Sequence, residues 1–349
     1  MPRRSENAVR PPTLEQVAAQ AGVSRATVSR VVNGLSTVNP ALVTKVRAVI
    51  AQVGYSPNLV ARSLMTNRTD LIALVAHEPD TRVFSDPFFS GIVRGVCQEL
   101  GLARLRMVLV MIQNSDDLDQ FNAYLRAGHV DGVLLISEHG SNPISSHAAE
   151  AGLPIVLGGR PFDSSPGITF VDNDNLGGAE QAAKHLVNLG RRRIATITGP
   201  LDMSAGVDRL DGFRRGLGDL FDEALVEEGD FTQPGGAAAA RRLLDRFPDV
   251  DAIFAASDLM ALGALPVLRK AGRSVPDDVA VVGFDDIDSA SYADPPLTTV
   301  RQNTLDQGRL MVRTLLSLLG RAVPTEGERL LQGAHSLVTP VELVVRQSA

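Results

Sequence analysis

Short runs of aliphatic and β-branched residues alternate with longer amphipathic stretches along most of the chain after residue 70. The short runs predict strands at residues 71–76, 107–112, 132–137, 155–157, 194–198, 252–256 and 279–284. The stretches between them predict helices, including 89–100, 176–189, 209–220, 237–247 and 259–271. This alternation predicts an α/β fold in which helices cover both faces of parallel sheets.

The α/β region, residues 70–349, is large for one sheet, so we expect two lobes that divide near Val171. A tail helix at 305–319 and a late strand at 341–345 are expected to return and complete each lobe in turn. The expected N-lobe contains about residues 70–171 plus 303–331, and the expected C-lobe contains about 172–300 plus 332–346.

Three short helices are predicted ahead of this region, within residues 13–57. Thr13, Ser24 and Asn39 are good N-caps, and each precedes apolar residues at helical spacing. Residues 1–12 are basic and proline-rich and are expected to be disordered.

Charge is distributed unevenly along the chain. The 349 residues carry a net charge of −6, which taken alone argues against a nucleic-acid partner. Up to Arg68, however, nine basic residues face two acidic ones, a local charge of +7, which leaves −13 on the other 281 residues. The basic segment is the helical one, so the sequence predicts a head that is attracted to phosphate.

Two short helices joined by a tight turn, the second with a polar and basic outer face, are typical of helix-turn-helix DNA readers. From the residues alone, Arg25 and Arg30 are candidates for guanine edges and Ala26 for a thymine methyl. The candidates for phosphate oxygens are Thr13, Ser24, Thr27, Ser29 and Asn33. The alternative is an ordinary three-helix bundle with a solvated charged face.

Enzyme signatures are weak. The sequence has no glycine-rich nucleotide loop, zinc-protease histidine pair or nucleophile elbow, and its six histidines are scattered. We therefore expect no catalytic residue, no cofactor and no metal site. Cys97 is the single cysteine, which fits a reducing compartment. Neither a secretory signal nor an apolar run of about 20 residues is present, so a soluble, cytoplasmic, nucleoid-associated protein is expected.

Distinctive sequence blocks run from Thr13 to about Arg346. The head contains TLEQVAAQAGVSRATVSRVVNG and GYSPNLVARSL. The body contains DPFFSGIVRGV, VDNDNLGGAEQAAKHLVNLG, RLDGFRRGL, AIFAASDLMALGAL, VPDDVAVVGFDD and DPPLTTVRQ. In order and spacing these blocks resemble the lactose/galactose repressor family of bacterial regulators. The resemblance implies an all-α head joined by a hinge helix to a two-lobed core like that of periplasmic sugar-binding proteins.

The resemblance also implies a set of DNA contacts. The base readers fall on Arg25 and Ala26, with Arg30 as a further contact and Asn33 near the backbone. Residues 58–69 match the hinge helix and linker, whose DNA contacts would be Asn58, Ala61 in the minor groove and Leu64 as the wedge between base steps. So short a helix cannot persist alone in water, so it is expected to order only on DNA. The alternative is that Leu64 packs on the core as an apolar linker residue.

In the core, the resemblance implies that a ligand binds between the lobes. Phe89 would offer an aromatic face, Arg209 a fork of donors, and Asp285 a bidentate acceptor for vicinal hydroxyls. Ser257 and Gln302 are further candidates. Ser257 and Asp285 follow predicted strands, and parallel sheets place ligands at the carboxyl ends of their strands.

We therefore expect a homodimeric regulator, not an enzyme, that binds pseudo-palindromic double-stranded operator DNA. A sugar in the cleft would control its operator affinity allosterically, most simply as the inducer of a repressor. One alternative is a purine or another metabolite that acts as a corepressor. The other is a sugar-binding transport protein, which would share the lobes but carry a signal peptide in place of the basic head. No membrane partner is expected.

Overall fold

A computed structural model describes residues 12–32, 38–56, 68–140, 144–145, 150–162, 167–322 and 336–349 of the chain. The chain divides after Thr69 into two units, a head and a core. No helix in these ranges is long and apolar enough to cross a membrane.

In the part of the head that the structure describes there are three helices, Leu14–Ala21, Arg25–Val32 and Pro40–Val53. Small and β-branched side chains at helical spacing bury one face of each helix, which produces a single small core. Its buried residues are Val17, Ala18, Ala21, Val28, Val31 and Val46.

The N-lobe of the core is built on a six-stranded parallel sheet. Its strands are β1 (Leu71–Ala76), β2 (Arg106–Met111), β3 (Gly132–Ile136), β4 (Ile155–Gly158), β5 (Thr169–Asn173) and β11 (Ser336–Thr339). Their order across the sheet is β11-β5-β4-β3-β1-β2. The central strand β3 is buried along its whole length, as expected for a strand covered on both faces.

The C-lobe repeats this architecture. Its strands are β6 (Ile194–Thr198), β7 (Val226–Glu228), β8 (Ala252–Ala255), β9 (Ala280–Asp285), β10 (Thr298–Arg301) and β12 (Glu342–Val344). Their order is β12-β10-β9-β8-β6-β7, and they are parallel except where β12 pairs antiparallel with β10. The prediction of parallel sheets in an α/β fold is confirmed.

Helices cover the sheets of both lobes. They are Asp80–Ser85, Pro87–Leu102, Ser115–Arg126, Asn175–Asn188, Ser204–Leu217, Gln233–Arg246, Asp258–Lys270, Asp288–Ser291 and Thr304–Leu318. Polar side chains begin most of the longer helices by accepting a hydrogen bond from a backbone amide in the first turn. These N-caps are Asp86, Asn114, Asp174, Thr232, Ser257 and Asn303.

Two of the three points where the chain crosses between the lobes lie close to the expected ones. β5 continues through Asn173 in the N-lobe sheet, so the first crossing follows residue 173, near the expected division at Val171. The second lies between β10, which ends at Arg301, and the helix that begins at Thr304. β11 pairs with β5, so the last crossing lies between Thr339 and Glu342. The expectation that residues from 332 onward all belong to the C-lobe is therefore corrected. β11 is short and its side chains alternate between exposed and half-buried, so it lacks the apolar run that reveals a strand.

Candidate functional site

A cleft between the two lobes of the core encloses about 740 Å³, part of which is open to solvent. Its walls are formed at the carboxyl ends of strands from both sheets, as expected for parallel α/β lobes. Ser137 follows β3, Asp172 and Asn173 end β5, and Asp285 ends β9, and all four residues line the cleft.

Arg209 lies at the base of the cleft and is only 5% exposed. Its Nε donates to Asn175 Oδ1 at 2.9 Å, and its Nη1 lies 3.5 Å from Asp285 Oδ1. The guanidinium carbon lies 3.7 Å from the centre of the Phe284 ring, a cation–π contact. Nη1 also donates to the carbonyl of Ala256. Burial lowers the pKa of Arg209, and the nearby carboxylates oppose this effect. The guanidinium is therefore held rigidly, as a binding site requires.

Asp285 faces Arg209 and accepts a 2.6 Å hydrogen bond from Gln302 Nε2 at Oδ1. Burial raises the pKa of Asp285 to about 7, although Arg209 lowers it in part. A carboxylate that the fold destabilises in this way gains from any ligand that donates O–H groups to it.

A chain of amide side chains connects the lobes beside this pair. Asn173, at the end of β5, donates through Nδ2 to Gln302 Oε1 and to Gln307 Oε1, each at 2.9 Å. Burial raises the pKa of the neighbouring Asp172 to about 6, while the backbone amides of Asn173 and Arg160 lower it in part. The base of the cleft therefore contains a hydrogen-bonded polar network that reaches both sheets.

The aromatic lining differs from the prediction. Phe89 is 1% exposed and packs in the N-lobe core, whereas its neighbour Phe88 lines the cleft. The helix Pro87–Leu102 explains the difference, because Phe89, Ile92 and Leu100 share its buried stripe. The assignment of Phe89 as the ring-binding face is therefore corrected.

A second aromatic group, Phe231, lies on the C-lobe side of the cleft. The Arg82 guanidinium lies between the lobes, 5.2 Å from the Phe231 ring and 5.9 Å from the Phe89 ring. Phe231 has a φ of 61°, in a region that side-chain-bearing residues seldom occupy. Ser137 and Asp285 also have positive φ and also line the cleft. Unusual backbone at three cleft residues is typical of a functional site.

Ser257 lines the cleft, and its hydroxyl also caps a helix. Its Oγ accepts the amide of Met260 and caps the helix Asp258–Lys270. Asp258, the first residue of that helix, is fully buried and accepts hydrogen bonds from Thr299 Oγ1 and the Ile287 amide. Asp258 therefore connects the start of this helix to Thr299 on β10 and to Ile287 after β9.

The head presents a second candidate site. Thr13 Oγ1 accepts the amide of Gln16 while Gln16 Oε1 accepts the amide of Thr13, a reciprocal capping box that begins the first helix. Gly22, with a φ of 61°, ends it in a left-handed conformation. Ser24 Oγ then accepts the amide of Thr27 and begins the second helix. A turn of three residues thus separates the first two helices.

The second helix exposes the predicted base readers. Arg25, Ala26 and Arg30 are exposed, whereas Thr27 and Ser29 are half-buried. The Arg25 side chain is 72% exposed, and its Nε lies 3.1 Å from Glu15 Oε1 on the first helix. Four predicted DNA contacts, Asn33, Asn58, Ala61 and Leu64, lie outside the described residues.

Other residues that line the cleft were missed by the sequence reasoning. They are Arg82, Asp86, Glu138, Arg160, Asn173, Asn175, Phe231 and Gln307. Position after a strand could have revealed several of them, because the rule that singled out Asp285 applies equally to the ends of β3, β4 and β5.

A helix-turn-helix head together with a two-lobed core that contains a cleft defines the chain as a DNA-binding transcriptional regulator. Residues 13–58 match the family described as bacterial regulatory proteins, lacI family. Residues 183–349 match the periplasmic binding protein-like domain. The HTH-type transcriptional regulator CelR of Thermobifida fusca is 50% identical over 333 residues, which cover 94% of this chain and 98% of the relative. The chain belongs to the lacI family.

Two solved structures resemble this chain over 97% of its length. The complex of the transcriptional regulator CelR with cellobiose is 46% identical and has a TM-score of 0.75 over 97% of this chain and 100% of that chain. The lac repressor dimer bound to operator and the anti-inducer ONPF is 28% identical, with a TM-score of 0.83 over 97% of this chain and 99% of that chain. The predicted family and fold are therefore confirmed.

Proposed function

We propose that this chain is a transcriptional repressor whose affinity for its operator is controlled by a β-linked glucose disaccharide of the cellobiose class. The observation that carries this proposal is the cleft, where a buried Arg209–Asp285 pair and a relay of amides lie beside Phe88 and Phe231. The likeness to a regulator solved with cellobiose supports the choice of ligand. We take the predicted contacts Arg209, Asp285 and Gln302 as the central polar contacts and Ser257 as a peripheral one.

The balance of charge in the cleft favours a neutral ligand. Three arginines that line it each face a carboxylate: Arg82 contacts Glu78, Arg160 lies 2.6 Å from Asp208, and Arg209 faces Asp285. Two further buried carboxylates, at Asp86 and Asp172, accept backbone amides, and burial raises the pKa of both. An anionic sugar would bring a further negative charge to a cleft where carboxylates outnumber arginines. A polyol donates O–H groups to these acceptors without adding charge.

A purine corepressor is the second candidate ligand. Two aromatic rings and the Asn173 and Gln302 amides could recognise a nucleobase. The greater number of carboxylate acceptors favours a sugar, since a purine offers few N–H or O–H donors.

Operator recognition is proposed to require a homodimer, because a pseudo-palindromic site offers two equivalent half-sites. In this proposal Arg25, Ala26 and Arg30 read bases, while Thr13, Ser24, Thr27 and Ser29 contact phosphates. The regulator would act in the cytoplasm, where its operator lies, and would have no catalytic role. If ligand and operator prefer different arrangements of the lobes, each weakens the binding of the other by the same factor, typically about 5 to 150-fold.

An electrophoretic mobility shift against the DNA upstream of the chain's own gene tests the proposal. We expect a specific complex that weakens steeply with salt and dissociates when cellobiose is added. Galactose and adenine serve as matched small-molecule controls. Absence of any specific complex would contradict the regulator assignment, and a complex strengthened by adenine would favour the corepressor alternative.

The variant Asp285→Asn is expected to lose cellobiose binding and to lose less stability than the parent as pH rises. Because the fold raises the pKa of Asp285 from 3.8 to about 7, ionisation of this residue destabilises the folded state increasingly as pH rises between these two values. Asparagine cannot ionise and offers only one acceptor to the ligand, but it leaves Arg209 buried without its partner. Thermal melts should therefore show the stability of the variant relative to the parent rising between about pH 5 and about pH 8. The exposed variant Asp219→Asn should change neither property, and a relative stability of Asp285→Asn that stays the same at both pH values would contradict the prediction.

A further inference from the structure

One set of contacts joins the two lobes across the mouth of the cleft. His139, which follows β3, contacts Asp202, which follows β6. Arg160, which follows β4, contacts Asp208 in the helix Ser204–Leu217 through two hydrogen bonds of 2.7 and 2.6 Å. We call these four residues the mouth latch.

The contact between His139 and Asp202 lies away from the points where the chain crosses between the lobes. The crossings follow β5, β10 and β11, which lie at or next to one edge of their sheets. β3 lies at the centre of its sheet and β6 lies next to the far edge of its sheet, whereas β4, which precedes Arg160, is adjacent to β5. If the lobes open about the crossings, His139 and Asp202 therefore separate further than Arg160 and Asp208. The Gly140 amide also donates to the Asp202 carbonyl at 2.8 Å, so backbone joins the lobes here as well.

His139 has a carboxylate at each ring nitrogen. Nδ1 lies 2.8 Å from Asp202 Oδ2 on the C-lobe, and Nε2 lies 3.4 Å from Glu78 Oε1 on its own lobe. A neutral imidazole carries one N–H and can donate to only one carboxylate, whereas the imidazolium donates to both. His139 therefore donates to both Asp202 and Glu78 only when it is protonated.

The other groups that face His139 are His77, 5.3 Å away ring to ring, and Arg82, which contacts Glu78. The hydrogen bonds to Glu78 and Asp202 raise the pKa of His139, and burial opposes them in part. Burial and the charge on His139 lower the pKa of His77. His139 is therefore the group of this cluster whose protonation the two carboxylates favour.

We propose that His139 acts as a positioning residue that closes the cleft in its protonated form and so makes affinity for the ligand depend on pH. The proposal rests on the proposed function in that a sugar binds between the closed lobes. On opening, His139 keeps Glu78 but loses Asp202, so its pKa is higher in the closed form than in the open form. Closure then takes up a proton. The contribution of His139 to ligand affinity is therefore greatest below its pKa in the open form, and it falls as pH rises to its pKa in the closed form.

The second pair of the mouth latch, Arg160 and Asp208, joins the lobes in a way that does not depend on pH in this range. Arg160 stays charged throughout this range, and Asp208 further raises its pKa. The cleft can therefore still close above the pKa of His139, but less favourably. A difference of one pKa unit between the open and closed forms corresponds to a change of about tenfold in ligand affinity.

Calorimetric titration with cellobiose at about pH 6 and about pH 8 tests the proposal in the full-length protein. Asp172 and Asp285 titrate in the same range but do so in parent and variant alike, so the ratio of the two affinities isolates the effect of His139. We expect His139→Gln, which keeps a polar side chain but cannot titrate, to bind up to about tenfold more weakly than the parent at about pH 6 and about as tightly as the parent at about pH 8. The matched control His129→Gln, on the same lobe beside Tyr124, should keep the parental pH dependence. Unchanged pH dependence in His139→Gln would overturn the proposal and point to His77.

A second measurement needs no ligand. NMR titration of the histidine ring signals, with His139→Gln to assign the relevant peak, should give a lower midpoint for His139 in Asp202→Asn than in the parent. An unchanged midpoint would show that Asp202 does not stabilise protonated His139, and it would overturn the proposal. If cellobiose fails to bind the parent at either pH, the proposed ligand is wrong. The NMR titration alone then tests whether His139 and Asp202 interact as proposed.

Discussion

Replacement of Arg209 by alanine is expected to abolish the effect of the ligand on operator binding while operator binding itself remains. The guanidinium is the donor at the base of the cleft, and its contacts with Asn175, Asp285 and Phe284 orient it there. A hydrogen bond from a charged donor to a ligand contributes about 1.5 to 3 kcal/mol, so its loss weakens ligand binding by about tenfold to more than a hundredfold.

Removal of one partner of a buried ion pair also costs about 3 to 5 kcal/mol of folding stability, because the other charge remains buried and uncompensated. A second variant is therefore required. Arg209→Met combined with Asp285→Asn removes both charges together, which is often neutral or stabilising for a buried pair. We expect this double variant to melt near or above the parent, to bind the operator, and to ignore cellobiose. Arg214→Ala, on the exposed face of the same helix, is the matched control and should respond normally. A normal ligand response in either Arg209 variant would show that the ligand binds elsewhere.

Much of the core could be predicted from sequence because local pattern determines it. β1 and β6 coincide with the predicted runs, since each is a short segment of aliphatic, alanine or threonine residues buried on both faces. Arg209, Asp285 and Gln302 line the cleft, as the resemblance to the family implied. The late strand was also anticipated near Glu342–Val344, although its sheet partner β10 was not.

The elements that were missed depend on contacts distant in the sequence. β7 has three residues, two of them acidic, and β5 ends in polar residues that the cleft requires, so neither has a strong apolar pattern. The helix Ser204–Leu217 begins five residues earlier than predicted, because Met203 before it makes no side-chain cap that would mark its start. Asp208 of the mouth latch was therefore not placed on this helix.

Phe89 is a different kind of error, because the information needed was local. Phe89, Ile92 and Leu100 form one helical stripe, and this periodicity assigns Phe89 to the core. The family resemblance directed attention to an aromatic residue at this point in the chain, and Phe88 satisfies the same expectation one position earlier. The pKa of Asp285, in contrast, could not be predicted from sequence, since it follows from burial and from Arg209, 76 residues away.

The second large effect is expected for Arg25→Ala, which should remove most of the specificity for the operator. Arg25 begins the second helix with a side chain that is 72% exposed, so its guanidinium can reach a guanine edge in the major groove. A good bidentate contact is worth about 1 to 3 kcal/mol of discrimination, and the proposed dimer makes two. The expected loss is therefore about thirtyfold to ten-thousandfold in specific affinity.

The Glu15 contact does not prevent this role. Both side chains are largely exposed, at 72% and 60%, and an exposed ion pair typically contributes less than about 1 kcal/mol. Arg25 can therefore exchange Glu15 for a base edge at little cost.

Specific and non-specific binding must be measured separately to establish that Arg25 reads a base. Titrations against the operator and against a scrambled duplex, each at several salt concentrations, should show that Arg25→Ala weakens the first strongly and the second slightly. Arg25→Lys should restore little specificity, because an ammonium group cannot make the bidentate contact. Arg47→Ala, on the exposed face of the third helix, should leave discrimination unchanged, since a charge acting through phosphate affects both duplexes alike. Equal weakening on both duplexes by Arg25→Ala would instead assign Arg25 to phosphate and leave base reading to Ala26 and Arg30.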